Sequence, residues 1–576
     1  MKNALQIAAG DNVAVALADI RAGEALPGAQ AGAETLTGET APGPGEAALG
    51  VAPLGVVART DIPRGHKIAL SDIKAGENII KYGHPIGHAT VDIPAGAHVH
   101  THNLKTNLKG LLEYTYEPQP APCGGGDAPK RTSGGHDTPG TGGLDTVREG
   151  SDGMRENGDA PVCDASRRGA LPVGLPRRGS GDAPVCDDAF WGYVRRDGSV
   201  GIRNEIWIVN TVGCVNMVAE TLARKGNELY GGETDGIYAF AHPFGCSQLG
   251  DDARYTQSIL RGMVNHPNAG GVLVLGLGCE NNHIPLFKGF LGSFDPDRVK
   301  FLVAQESEDE IADGLAIIGE LVEYAKGAKR ERIPAGKLVI GLKCGGSDGL
   351  SGISANPLVG RVADMLAGCG GTAILSEVPE MFGAETILMN RAKDEGVFRD
   401  IVRMINDFKE YFMRYNQEVY ENPSPGNKEG GITTLEDKSL GCVQKGGTGP
   451  VNAVLDYGDR AAAPGLNLLY GPGNDIVAIT ALMAAGAHII LFTTGRGTPV
   501  GAPVPTMKIA TNTPLATKKP GWIDFDAGRL LGDAGMDDLA GELFCKTLRV
   551  ASGVERTRNE ANGYREIAIF KDGVTL

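Results

Sequence analysis

The chain has 576 residues, a length that divides among roughly two to four domains because a single hydrophobic core does not grow to that size. Its formal net charge of −15 argues against nucleic-acid binding, which needs clustered Lys and Arg, but it allows an anionic small molecule at a few local cations. No apolar run has the length of a membrane span or a signal peptide, so we expect a cytoplasmic protein that binds neither membrane nor nucleic acid.

Residues 1–117 are predicted to form a small domain of short β-strands. Val13, Val15 and Leu17 alternate with small residues, which is the period of a half-buried strand. From residue 65 to residue 103, short apolar stretches are separated by glycines that predict turns at Gly76, Gly83, Gly87 and Gly96. Residues 26–52 interrupt this pattern without periodicity and are interpreted as a surface insertion.

Residues 118–188 differ in composition from the rest of the chain. They are rich in Gly, Pro, Asp and Arg, and the heptad GDAPVCD occurs at 158–164 and again at 181–187. Since they hold too little apolar surface to offset the entropy of ordering, we interpret them as a duplicated low-complexity linker. The cysteines in this segment leave a small metal knuckle open as an alternative.

From residue 189 onward, the pattern is α/β. Six apolar runs end in glycine-rich or polar turns, as parallel strands do: 206–209, 272–275, 301–303, 338–340, 372–375 and 488–492. Ile311, Leu315, Ile318 and Val322 recur with the period of one helix face. A polar stretch at 422–445 predicts a boundary between a central domain, 189–440, and a C-terminal α/β domain, 441–576.

The segment from Gly65 to Asn103 is the first candidate for chemistry. It holds six of the chain's eleven histidines: His66, His84, His88, His98, His100 and His102. In a strand, residues two apart share a face, so His98, His100 and His102 are predicted to line one face, where His100 and His102 are candidate ligands for Fe, Mn or Zn. A solvated, histidine-rich edge strand is the alternative. Lys67 and Lys81 are candidate cations for a substrate carboxylate, with exposed surface lysines as the alternative.

Four cysteines form a second candidate metal site. Each lies near the end of an apolar run, where ligands bind in open α/β sheets. Their wide separation matches no compact zinc pattern, so an iron or iron–sulfur site and buried small residues both remain open. These cysteines are Cys214, Cys246, Cys279 and Cys344.

Two glycine-rich segments are candidates for substrate binding. Residues 345–352 follow a predicted strand and include Ser347 and Asp348, where successive backbone N–H groups favour an anion. The segment lacks the GxxxxGK[ST] pattern, so it does not predict a nucleotide site. Arg496 follows the strand ending at Phe492 and is a candidate for a bidentate contact with a carboxylate.

Taken together, these phrases resemble the altronate dehydratase family. GHKIAL, IKYGHPIGHA and VHTHN are similar to its N-terminal SAF-type (β-clip) domain. VNTVGCVN, AHPFGCSQLG, KCGGSDGLSGISANP, SEVPEMFGAE, NPSPGNKEGG and FTTGRGTPVGAP are similar to its catalytic portion. The resemblance covers nearly all of 1–25, 53–117 and 189–576, and the insertions at 26–52 and 118–188 depart from it.

The resemblance implies a metal-dependent hydro-lyase that converts D-altronate to 2-dehydro-3-deoxy-D-gluconate during hexuronate breakdown, with iron(II) or sometimes manganese. VHTHN favours the altronate branch over galactarate dehydratases and sulfolactate sulfo-lyases, which remain alternatives, as does a sugar-acid-binding protein without turnover. We expect a homo-oligomer with two groups of site residues. The catalytic candidates are His66, Lys67, Lys81 and His102. The substrate-binding candidates are Asn103, Ser347, Asp348 and Arg496.

Overall fold

The architecture is that of a computed structural model, which describes residues 3–26, 55–118 and 188–573. The predicted insertion at 26–52 and the predicted linker at 118–188 lie outside these residues, apart from residues 26, 118 and 188. Both GDAPVCD segments therefore lie outside them as well. Within the part of the chain that is described, no helix is both long and apolar enough to cross a membrane.

The N-terminal part consists of short antiparallel strands, as its alternating pattern predicts. Its strands are β1 Ala4–Leu5, β2 Val13–Ala16, β3 Ala25–Leu26, β4 Val56–Val57, β5 Lys67–Ala69, β6 Asn78–Lys81, β7 His84–Ala89, β8 His98–Val99 and β9 Leu104–Lys105. They pair in the orders β1-β2-β5-β8, β6-β7-β9 and β3-β4. Gly87 was predicted in a turn but lies inside β7, where a side chain would meet the carbonyl of Lys105 on β9 at 2.3 Å.

The next part of the chain contains two sheets. Its strands are β10 Ala189–Val194, β11 Val200–Gly201, β12 Glu205–Asn210, β13 Ile237–Ala239, β14 Ala269–Gly276, β15 Val299–Val303 and β16 Arg330–Pro334. An antiparallel sheet has the order β11-β10-β16, and a parallel sheet has the order β13-β12-β14-β15. The helices are α1 Asn216–Tyr230, α2 Gly250–Val264, α3 Ile284–Leu291 and α4 Glu310–Lys326. The predicted helix face is confirmed, because Ile318 and Val322 of α4 are fully buried.

The last part is built on a seven-stranded parallel sheet of order β19-β20-β18-β17-β21-β22-β23. The strands are β17 Val339–Cys344, β18 Thr372–Leu375, β19 Val451–Leu455, β20 Gly465–Leu469, β21 Ile489–Thr494, β22 Thr506–Ala510 and β23 Phe525–Asp526. The helices are α5 Ala355–Gly368, α6 Glu385–Met389, α7 Glu395–Arg414, α8 Pro425–Glu429, α9 Leu435–Cys442, α10 Asp475–Ala484, α11 Thr513–Lys518, α12 Met536–Ala551 and α13 Arg558–Asn562.

This sheet corrects the boundary predicted at residue 440. Strands β17 and β18 precede that residue, whereas β19 to β23 follow it, and all seven belong to one sheet. The polar stretch at 422–445 contains α8 and α9, which are short helices and not a linker. The break within 189–576 therefore falls between the four-stranded and seven-stranded sheets. The predicted class, a small β-clip domain joined to a larger α/β portion with parallel sheets, is confirmed.

One apolar core connects the small part to the seven-stranded sheet. The largest cluster of buried apolar side chains includes Ile79 and Ile86 of the small part together with Leu342 and Leu491 of the sheet. All described residues belong to one compact unit. The strands β5 to β8 are thereby held against the carboxyl end of the sheet, where their polar side chains meet those of α8 and α9.

Candidate active site

Four imidazole rings gather at the edge of the small part. The ring centroid of His66 lies 4.7 Å from that of His100 and 5.1 Å from that of His98. The ring centroid of His102 lies 5.4 Å from that of His98. The pairing of β5 with β8 explains this arrangement, because Lys67 is opposite Val99 and the flanking residues His66 and His100 are therefore neighbours across the two strands. These four residues are called the histidine cluster below.

The histidines converge for a different reason from the one predicted. Strand β8 ends at Val99, so His100 and His102 do not continue one strand face. Asn103 closes a turn instead: its backbone N–H donates to the His100 carbonyl at 3.0 Å, and its side chain donates to the His98 carbonyl at 2.9 Å. Asn103 is 5% exposed, so its predicted contact with substrate is corrected to a role in shaping the turn.

The histidine cluster contacts α8 of the large part. His66 Nε2 lies 3.1 Å from the carbonyl oxygen of Glu429, and His100 Nε2 lies 2.9 Å from that of Lys428. Because a carbonyl only accepts, both Nε2 atoms carry the proton, which leaves His66 Nδ1 to accept from His98 Nε2 at 3.0 Å. This hydrogen bonding assigns neutral tautomers to His66 and His100.

The environment keeps these rings neutral. Burial lowers the pKa of His66, despite its hydrogen bond to Glu429. Burial, together with the neighbouring imidazoles, lowers the pKa of His98 to about 3 and that of His100 to about 4. Neutral imidazole is the form that binds metals, so the donor chemistry fits iron(II) or manganese. The geometry is not preformed, since no three His, Cys, Asp or Glu side chains among residues 3–26, 55–118 and 188–573 converge on one ion position.

Beside the cluster, two lysines of the small part share one carboxylate of the large part. Lys67 Nζ lies 2.9 Å from Asp437 Oδ2, and Lys81 Nζ lies 2.8 Å from Asp437 Oδ1. Burial lowers the pKa of Lys67 to about 8 even though Asp437 opposes the shift. The carboxylate outweighs burial at Lys81 and raises its pKa, and both ammonium groups hold the pKa of Asp437 well below its usual range. The two lysines are thus fully paired and hold the two parts together.

Glycines allow the two backbones to touch at this junction. A side chain on Gly349 would lie 2.0 Å from the carbonyl oxygen of Gly65, and one on Gly431 would lie 2.2 Å from the same atom. A side chain on Gly352 would meet the hydroxyl of Tyr82 at 2.3 Å. Such distances exclude any larger residue, so the glycine-rich segment 345–352 is the surface on which the small part rests.

A narrow pocket opens between the two parts and is lined by residues that include Lys81, Tyr82, Ser347, Asp348, Asp437 and Cys442. Ser347 turns its hydroxyl inward, 2.6 Å from the sulfur of Cys344. The carboxylate of Asp348 accepts hydrogen bonds from Thr511, Asn512, Ser351 and the Leu350 backbone, while burial raises its pKa. Both residues predicted to bind substrate therefore border the pocket, but their polar atoms already have partners within the protein.

Arg496 contacts α8, the helix that is hydrogen-bonded to the histidine cluster. Its guanidinium lies 3.0 Å from Glu429 Oε2 and 3.3 Å from the carbonyl of Gly426. The side chains of Arg496 and Glu429 are 43% and 72% exposed, so this ion pair is weak and open to exchange. Glu429 thus contacts His66 through its backbone and Arg496 through its carboxylate, which brings two predicted site residues to one short helix.

Beneath the pocket lies a buried charge network that sequence reasoning missed. Lys343 pairs with Glu377 and, at 2.9 Å, with Asp475, while Lys438 lies 2.8 Å from Glu380. Burial and the nearby Glu380 raise the pKa of Glu377 to about 7. Glu377 also has a left-handed backbone (φ 71°) at the end of β18, a strained conformation that is common at functional sites. The only sequence signal is the polar phrase SEVPE after a buried strand.

The four predicted cysteines divide into two places. Cys344 is buried at the end of β17, where the hydrogen bond with Cys442 and the charge of Lys445 lower its pKa. Cys214, Cys246 and Cys279 are exposed and follow the ends of β12, β13 and β14. The prediction that all four converge on one crevice is therefore corrected, because they belong to two different sheets.

Comparison with known proteins matches this architecture in three consecutive segments. Residues 2–107 match the altronate/galactarate dehydratase SAF domain, and residues 192–326 match the second domain of D-galactarate dehydratase/altronate hydrolase. Residues 335–575 match the C-terminal domain of D-galactarate/altronate dehydratase. The last two segments each contain one of the parallel sheets.

Curated relatives match almost the whole chain. Altronate dehydratase of Escherichia coli (strain K12) is 46% identical over 576 residues, or 99% of each chain. Altronate dehydratase of Bacillus subtilis (strain 168) is 47% identical over 579 residues, or 100% of each chain. Galactarate dehydratase (L-threo-forming) of Escherichia coli (strain K12) is 31% identical over 532 residues, which cover 88% of this chain and 90% of that one.

Proposed function

Because the chain belongs to the family of D-galactarate and altronate dehydratases, it is an enzyme of the hydro-lyase type, and we propose that it dehydrates D-altronate to 2-dehydro-3-deoxy-D-gluconate. The relatives matched over 99% or more of this chain at 46% and 47% identity are altronate dehydratases, whereas the galactarate relative is 31% identical. This difference supports D-altronate as the substrate.

The observation that carries the proposal is the contact of the histidine cluster with α8 beside Arg496. Glu429 bonds to His66 through its carbonyl and to Arg496 through its carboxylate. A substrate carboxylate that displaces the exposed Glu429 side chain would pair with Arg496 and bring C2 and C3 towards the imidazoles. The displaced pair is worth only about 0–1 kcal/mol, so the exchange costs little.

The reaction needs a base and an acid on neighbouring carbons. The base removes the C2 proton, the C2–H electron pair forms the C2=C3 bond, and the C3–O bond breaks as an acid protonates the leaving hydroxyl. The resulting enol tautomerises to the 2-keto-3-deoxy acid. We assign both proton transfers to His102, the exposed ring of the cluster: it takes the C2 proton as the base, and the imidazolium so formed protonates the leaving hydroxyl. His66, which is neutral, contributes by its hydrogen bond to the Glu429 carbonyl, which holds the cluster against α8. Lys67 and Lys81 act through Asp437 as positioning residues.

We further propose that the enzyme uses iron(II), or manganese in its place. His100 and His102 were the predicted ligands. Because His102 is assigned the base role, we propose that His100, together with the neighbouring rings of His66 and His98, holds the ion. A bound divalent ion would supply stabilisation of the negative charge that develops on the substrate carboxylate and C2. The rings would have to turn away from the α8 carbonyls to ligate together. A cytoplasmic location, a role in hexuronate breakdown and a homo-oligomeric assembly remain predictions.

The test is formation of 2-keto-3-deoxy acid under anaerobic conditions, with D-altronate, galactarate and sulfolactate offered separately to protein that has been chelated and then resupplied with iron(II) or manganese. We expect turnover of D-altronate that requires the metal. If the protein converts galactarate or sulfolactate but not D-altronate, that acid becomes the assigned substrate. Binding without turnover would indicate a non-catalytic protein. Full activity in the metal-free protein would refute the proposed requirement for a metal ion.

Four single variants locate the site. His100→Ala and His102→Ala should each lower turnover by roughly 10²-fold or more, since a lost ligand or base costs about that much. His84→Ala and His88→Ala are the matched controls, because both histidines lie on β7 outside the cluster. Equal turnover and bound metal in all four folded variants would move the site away from the histidine cluster.

A further inference from the structure

A Gly-Cys pair recurs three times at one end of the four-stranded parallel sheet. Gly213-Cys214 follows β12, Gly245-Cys246 follows β13 and Gly278-Cys279 follows β14, and these three strands are adjacent and parallel. Their carboxyl ends therefore share one edge, which is the edge where open α/β sheets bind ligands. The three thiols are free and exposed.

The loop of Cys246 is hydrogen-bonded to the loops of both Cys214 and Cys279. The backbone N–H of Gly213 donates to the Phe244 carbonyl at 2.9 Å, and that of Asn282 donates to the Gly245 carbonyl at 3.0 Å. The backbone N–H of Ser247 donates to the side chain of Asn281 at 2.7 Å. The first bond joins the loop of Cys214 to the loop of Cys246. The other two join the loop of Cys246 to the loop of Cys279.

The glycines before the cysteines are required by close packing. A side chain on Gly213 would lie 2.6 Å from the carbonyl of His242, and one on Gly245 would lie 2.0 Å from the carbonyl of Thr211. One on Gly278 would meet the amide oxygen of Gln305 at 2.8 Å, and its φ of 130° also disfavours other residues. Close packing therefore constrains the backbone of all three loops, each of which holds one exposed thiol.

Two amide side chains in or beside these loops carry N–H donors that an anionic sulfur ligand would satisfy. Gln305 Nε2 lies 3.5 Å from the sulfur of Cys279. Gln248, two residues after Cys246, is 6% exposed, and its oxygen accepts from Gly245 and Thr256, but its Nε2 has no hydrogen-bond partner. A buried donor without an acceptor is costly, and an anionic sulfur ligand beside Cys246 would supply one.

We propose that Cys214, Cys246 and Cys279 bind an iron–sulfur cluster of the [4Fe–4S] class. Thiolates are the ligands of such clusters, and each loses its proton when its bond to iron forms. A single ion would need ligands that converge on one point, which the described residues lack, whereas a cluster spreads its irons and can be held by separated thiolates. Three protein ligands leave one iron without a protein ligand.

The helices α1, α2 and α3 begin just after these loops, and their N-terminal ends favour the negative charge of the cluster. This site uses residues outside the histidine cluster and does not depend on the proposed substrate.

The test measures iron and acid-labile sulfide in the full-length protein purified without exposure to air, together with visible absorption and electron paramagnetic resonance after reduction. We expect about four sulfides per chain, and about four irons in addition to any ion held at the histidine cluster. Cys214→Ser, Cys246→Ser and Cys279→Ser should each lower bound sulfide several-fold, while Cys369→Ser, at the end of α5, is the matched control and should leave it unchanged.

Alkylation of the native protein, read by peptide mass, gives a second measurement that does not depend on variants or activity. The three thiols should be protected before the cluster is removed and reactive afterwards. Iron without sulfide, sulfide retained in all three serine variants, or thiols that react equally in both states would overturn the proposal. Because bound sulfide is measured directly, failure here is distinct from failure of the histidine variants in turnover.

Discussion

Replacing Asp437 by Asn removes the carboxylate that pairs with both Lys67 and Lys81. In both pairs the side chains are at most 2% exposed, so neither ammonium gains water in exchange. Removing one partner of a buried pair costs about 3–5 kcal/mol.

The loss should be local to the junction between the small part and the large part. Hydrogen exchange of the amides in β5 and β6 should therefore become roughly 10²- to 4 × 10³-fold faster in Asp437→Asn, since about 1.4 kcal/mol is a factor of ten. Asp92→Asn is the matched control: its carboxylate pairs with Lys74 at 3.0 Å, but the two side chains are 67% and 63% exposed. That change should cost about 0–1 kcal/mol.

The pH dependence provides a stricter test. Without Asp437, a buried lysine has a folded-state pKa below its unfolded value, so the unfolded chain binds more protons and the junction becomes more stable as pH rises towards about 10. The defect of Asp437→Asn should therefore shrink between pH 7 and pH 9. Equal exchange in Asp437→Asn and Asp92→Asn, or a defect that does not change with pH, would refute this reasoning.

Three further predictions follow from packing, protonation and chain organisation. Gly349→Ala should destabilise the fold by about 1–3 kcal/mol through its clash with Gly65, whereas Gly368→Ala, with open space around it, should not; equal unfolding midpoints would contradict this. Because the pKa of His98 is lowered to about 3, stability should fall as pH drops below about 6.5, and less so in His98→Gln; identical pH slopes would exclude this role. Shortening 118–188 while leaving a connecting span should keep turnover within a few-fold, and loss of folded protein would show that the segment is needed.

Local patterns predicted the strands and one helix well. The apolar runs at 206–209, 272–275 and 488–492 lie within strands β12, β14 and β21 or overlap them, because buried parallel strands need continuous apolar side chains. The boundary at residue 440 failed for the opposite reason. Polar residues at 422–445 face the small part and the pocket, so local polarity there reflects a contact surface and not the end of a domain.

The sequence predicted that histidines gather near Asn103, but it did not predict how they are arranged. His100 and His102 do join His66 and His98, but through a turn closed by Asn103, whose side-chain contacts are not visible in a period-two pattern. Pairings such as Lys67 with Asp437 join residues 370 positions apart, and no spacing rule links them. The buried charge network around Glu377 is of the same kind, since each charged residue alone is typical of a solvated surface.

The junction of Gly65, Gly349 and Gly431 has a consequence for how the chain tolerates being cut. Its contacts are made between the two parts themselves, by glycine backbones and by the shared carboxylate of Asp437. A covalent connection then mainly raises the effective concentration of one part near the other, an effect that falls only slowly as the connection lengthens. Two separately expressed polypeptides that keep this junction would be expected to associate into one enzyme, and insertions between them would be tolerated over generations of sequence drift.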